Sequence, residues 1–168
     1  MSVATMEQLL VDELKDLYSA EKQITRALPK IAKGVTSEEL KRALLDHLEE
    51  TNGQVARLEQ AFEILGKRPA GKTCIGMKGV LEEGSELLGE TDKGEVRDAG
   101  VISAAQRVEH YEMAGYGSAR DFAKLLGQSE IADLLEQTLE EEKAADKKLT
   151  LISKQVNSGA MGSAHAAD

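Results

Sequence analysis

The chain is poor in aromatic residues: they make up 3% of 168 residues, and there is no tryptophan. It has two prolines and few β-branched residues, while Leu, Ala, Glu and Lys dominate. A sheet protein draws on aromatic and β-branched side chains, whereas these abundant residues are strong helix formers. The single cysteine, Cys74, excludes an intramolecular disulfide and a Cys-x-x-Cys redox pair. No apolar run approaches the ~18 residues of a membrane span. The opening "MSVATMEQLLVDELKDLY" has no basic segment followed by an apolar one, so it does not read as a signal peptide. Basic charge is also short: the formal net charge is −9, which disfavours a nucleic-acid partner. No membrane association and a cytoplasmic location are therefore expected.

A hydrophobic content of 41% over this length suits one domain with a packed core. Four long helical patterns are present. The first spans about Met6 to Lys33, opens on the capping box "TMEQ" and stops at Gly34. Its stripe (Leu10, Leu14, Leu17, Glu21, Ile24, Leu28, Ile31) steps by fours and threes, the seam of a bundle helix. The second runs from Glu38 to Leu65, with "TSEE" as a second expected capping box and Gly66 and Pro69 as stops. The third covers about Val96 to Leu126. The fourth starts after Ser129 and is expected to fade near Asn157, leaving residues 158–168 as a disordered tail to a domain of residues 1–157.

Short loops make two antiparallel hairpins of these helices. The longer segment 67–95 holds "MKGVLEEGSELLGE", a short helix. It is long enough to return the chain along the bundle. The fold expected is all-α: a four-helix bundle of two hairpins joined by a crossover, the ferritin-like connection.

Each helix carries polar residues near its midpoint, on or beside its apolar seam. They are Glu21 on the first helix, Glu50 and Gln54 on the second, Glu109 and Glu112 on the third, and Glu142 and Asp146 on the fourth. Helix midpoints in a bundle share one height, so these groups converge. Buried carboxylates without partners are costly, and no basic residue sits in the seams. Two divalent cations would resolve the conflict. An oxygen-rich ligand set points to Fe first, with Mn or Zn as alternatives. Some choices stay open: Glu141 can replace Glu142 on rotation of the helix, and His47 is a ligand, an orienting group or a boundary residue. Tyr18 and Tyr116 each lie one turn from a candidate glutamate and can hydrogen-bond to it, or serve only as boundary residues. His110 should point away from the seam, His165 lies in the expected tail, and Cys74 carries no assigned role.

The phrases "LYSAEKQI", "HLEETNGQVARLEQAFEILGKRP", "CIGMKG", "RVEHYEMAGYGSAR" and "LEEEKAAD", in this order over residues 6–155, resemble the YciE/YciF family of bacterial ferritin-like proteins. The resemblance implies a fold related to rubrerythrin and ferritin, a dinuclear metal centre, a role in stress and a homodimer. It matches Glu109 and Glu112 to the rubrerythrin glutamates three apart, and Glu142 with Asp146 to the fourth-helix pair. Asp146 and Gln54 stand where histidine is commoner. The expected function is a dinuclear oxidoreductase acting on peroxide or O2, with an external electron donor that the sequence does not identify. The alternative is a non-catalytic dimeric stress or partner-binding protein with a structural metal.

Overall fold

The computed structural model describes residues 3–70 and 72–165, with 163–165 as backbone only. Five helices follow in order: α1 (Met6–Gly34), α2 (Glu38–Ile64), α3 (Ile75–Glu90), α4 (Glu95–Leu125) and α5 (Ser129–His165). Helix α1 begins as the sequence requires. The Thr5 hydroxyl accepts from the Gln8 amide, and the Gln8 side chain accepts from the Thr5 amide. Gly66 and Gly127 follow α2 and α4 with φ of 62° and 70°, left-handed values that favour glycine at a helix end.

The hairpins α1–α2 and α4–α5 pack side by side. Contacts α1–α4 and α2–α5 close the square, leaving α1 diagonal to α5. Both closing pairs are antiparallel: the end of α1 meets the start of α4 at Thr36–Asp98, and Arg57 of α2 meets Thr138 of α5. The order is therefore up, down, down, up. Helix α3 supplies the return, running beside α1 from Ser19 to Gly34 and packing on α4. Cys74 begins it: its thiol accepts from the Met77 amide and lies 3.0 Å from the Tyr111 hydroxyl, which donates to Asp16.

Two expectations are corrected. The "TSEE" box does not form. Ser37 caps α2 by accepting from the Leu40 amide, while the Thr36 and Ser37 amides donate to the carboxylate of Asp98 at 2.7–3.1 Å. Asp98 is buried at the start of α4 and pins the α1–α2 turn. Helix α5 does not fade at Asn157 but continues to His165, because extending a formed helix needs no new nucleus. The tail expected over 158–168 is thus helical through 165, and residues 166–168 lie outside the described residues.

The apolar core is divided in two. One block gathers Leu10, Leu14, Leu17, Phe62, Tyr116 and Ile131; the other Ile24, Leu28, Leu40, Met77, Ile102 and Ile152. Between them lies a buried polar layer.

Asp98→Ala should remove the acceptor shared by the Thr36 and Ser37 amides and lower stability by about 1–3 kcal/mol. Asp98→Asn keeps an acceptor and should lose less. Urea unfolding measures both, and equal losses would contradict the capping role.

Candidate metal centre

All four bundle helices contribute to the polar layer, because each places one or two polar residues at a core position of its seam. Glu21 (α1), Gln54 (α2), Glu112 (α4) and Glu142 (α5) are fully buried, and His47 (α2) and Glu109 (α4) nearly so. His47, Glu109, Glu112 and Glu142 each offer a ligand atom within 4.8 Å of the others. The His47 Nε2 atom is 3.4 Å from Glu109 and 3.9 Å from Glu142.

Neighbouring groups fix these side chains. The Tyr116 hydroxyl donates to one oxygen of Glu21, and the Gln54 amide donates to one oxygen of Glu142. His47 Nδ1 lies 3.4 Å from Glu50, which turns Nε2 inward. Glu141 is drawn out of the layer by Arg57, which also donates to Thr138.

The remaining atoms have no partner. Among the described residues, Glu21 Oε2, His47 Nε2, Gln54 Oε1, Glu109 Oε2, both oxygens of Glu112 and Glu142 Oε2 are buried without a hydrogen bond. Six are oxygen acceptors and the seventh is an imidazole nitrogen. A buried acceptor with no donor is costly, and so many in one layer fit cations. The donor set is therefore suited to transition-metal ions.

Electrostatics agree with this chemistry. Burial, then the charge of Glu142, raises the Glu21 carboxyl to about 8. Burial and the neighbouring Glu142 carboxyl hold Glu109 well above the usual carboxylate range. Burial and the charges of Glu21 and Glu142 do the same to Glu112. Without a cation, protons take its place.

Of the seven positions expected from sequence, Glu21, Gln54, Glu109, Glu112 and Glu142 meet in the layer; Glu50 and Asp146 do not. Glu50 is half exposed, at the edge of the α2 stripe, and reaches the layer only through His47. Asp146 sits beside the α5 stripe, accepts from Gln106 and lies 3.3 Å from the exposed His110. His47 supplies the imidazole that positions 54 and 146 lack. It stands seven residues before Gln54, about two helical turns, so both face the core. Arg57 was missed. The signal for it was the adjacent pair Glu141–Glu142, of which only one can face inward. Tyr18 bonds Glu59 at the surface instead of Glu21.

A bundle in up-down-down-up order, with carboxylates from three helices meeting a histidine and a glutamine of the fourth at mid-height, has the ferritin-like fold. Comparison with known proteins agrees. The chain belongs to the family described as a domain of unknown function, DUF892, whose pattern matches residues 5–161. It is 48% identical over 151 residues to Protein YciF of Escherichia coli K12, covering 89% of this chain and 91% of that protein. The crystal structure of the E. coli stress protein YciF superposes with a TM-score of 0.90 at 45% identity, covering 93% of this chain and 99% of that one. A ferritin-like, diiron-carboxylate protein of Bacillus anthracis shares the fold at a TM-score of 0.70 and 14% identity, with 90% and 99% covered.

The raised carboxyls set a pH dependence for the metal-free protein. Their folded-state values lie above the unfolded 4.5, so the folded state holds protons that the unfolded state has released. Their stabilisation is full below about pH 4.5 and is lost as pH rises through their folded-state values, about 8 for Glu21 and well above the usual carboxylate range for Glu109 and Glu112. Urea midpoints should fall across this window. Glu112→Gln should flatten the fall and stabilise the metal-free protein at the alkaline end by roughly 1–3 kcal/mol. An unchanged slope would contradict a protonated Glu112.

Proposed function

We propose that this chain is a dinuclear metal protein, with iron expected and manganese as the redox-active alternative, that reduces peroxide or dioxygen in the cytoplasm during stress with electrons from an external donor; zinc, which has no redox chemistry, would make the centre structural only. The observation that carries this reading is the buried layer of seven unpartnered acceptor atoms drawn from four helices. One relative, described as a stress protein, supports it, as does a structural neighbour of similar fold described as a diiron-carboxylate protein.

Glu109, Glu112, Glu142 and His47 form the group that would hold the metals, with Glu21 and the Gln54 carbonyl oxygen beside it. Two redox-active ions held there would supply one electron each to an oxygen substrate. The protein residues do the rest. Tyr116 and Gln54 each hold one oxygen of a glutamate and leave the other free to ligate. Glu50 orients His47, and Arg57 keeps Glu141 from crowding the layer. Glu21, Glu109 and Glu112 release protons when cations enter, so metal affinity rises with pH.

Protein purified without chelator, or reconstituted with Fe(II) or Mn(II), should hold about two ions per chain by elemental analysis. Glu109→Ala should lower metal content and reduce peroxide or oxygen consumption by at least about 100-fold, with helical circular dichroism unchanged. No metal after reconstitution would sink the proposal, and unchanged turnover in the variant would leave only a structural metal.

A further inference from the structure

Two openings reach the His47–Glu109 edge of the polar layer, and they differ in chemistry. Between α2 and α5 lies a cavity of about 90 Å3, with Glu50 and Lys148 at its walls and His47 and Glu109 at its floor. Beneath α3 lies a second cavity, of about 40 Å3, enclosed by α1, α2, α3 and α4. Its walls include Leu28, Leu44, Val80 and Val101, and its only polar lining residues are His47 and Glu109. Small residues make the room: Ala27, Gly84, Ala104 and Ala105 stand where larger side chains would fill it.

Size and polarity select the occupant. One water needs about 10–15 Å3 of such volume, so the space admits about three or four small heavy atoms. A drug-sized organic substrate, which takes roughly 300 Å3 or more, is excluded. Peroxide would forfeit its hydrogen bonds to water against these walls, whereas an apolar diatomic molecule loses nothing by leaving water. Hydrated ions and protons have the polar route beside Glu50 and Lys148.

We propose that the apolar cavity beneath α3 binds dioxygen next to the His47–Glu109 edge, which makes dioxygen the small molecule this centre receives. The inference rests on the dinuclear reading above and adds the substrate.

Xenon, an apolar probe of similar size, tests the cavity without turnover. Crystals of the metal-loaded protein under xenon pressure should show one xenon atom against Leu28, Leu44 and Val101. Ala105→Leu should abolish that site and, with Fe(II) as the reductant, raise the KM for dioxygen by about tenfold. Ala105→Val, a smaller change, should act in the same direction if the leucine variant misfolds by circular dichroism. Absence of xenon from the metal-loaded protein would overturn this inference alone, as would an unchanged KM in a folded variant that has lost xenon. Consumption of peroxide but not dioxygen would also overturn it. Failure to load metal would overturn the dinuclear reading, and xenon would still report on the cavity.

Discussion

The structure depends on one electrostatic constraint: carboxylates from three helices are taken out of water at the same height in one core. Burial disfavours their charge, and each charge disfavours the next. Apolar packing offers no remedy, since a hydrocarbon neighbour accepts no proton and donates no hydrogen bond. The layer is stable only when protons or cations occupy it. This explains why the core splits into two apolar blocks with the polar layer between them. It also explains why the groups around the layer serve as its positioning partners. Tyr116, Gln54 and Glu50 each occupy one atom of an inward-facing side chain and leave the other unpartnered.

The surrounding fold holds that layer in register. Its height on each helix is fixed by the helix ends, and the ends are fixed by local chemistry: Thr5 and Gln8 at the start of α1, Ser37 at the start of α2, and left-handed glycines after α2 and α4. Asp98 ties the α1–α2 turn to the start of α4, and so couples one hairpin to the other. Helix α3 then covers the face between α1 and α4. Small residues of α1, α3 and α4 leave space above the His47–Glu109 edge where a fully packed interface would have none.

Much of the fold was legible in the sequence because periodicity and capping are local. The stripe of α1 and its capping box follow from neighbours a few residues away. The limits of that reasoning are visible at particular residues. Thr36 and Glu39 have the spacing of a capping box, yet the Thr36 amide finds a better acceptor in Asp98, which is remote in sequence. The composition of residues 158–165 suggests a tail, yet an established helix propagates through them.

Local periodicity and composition are enough to establish four amphipathic helices in a bundle with a return crossover, and acidic groups at mid-height on its seams. Glu21, Glu109 and Glu112 read as core-facing, since each falls within the apolar stripe of its helix, and Gln54 as lying on or beside the stripe of α2. The choices at the stripe edges depend on packing between helices. There, a small rotation of a helix exchanges core for solvent, and the facing helix supplies the partner that settles it. Arg57 of α2 draws Glu141 aside and leaves Glu142 inside. Gln106 and His110 of α4 lie against Asp146 at the rim. On α2, His47 is buried opposite Glu109 and Glu142 while Glu50 stays half exposed, so the imidazole and not the carboxylate enters the layer.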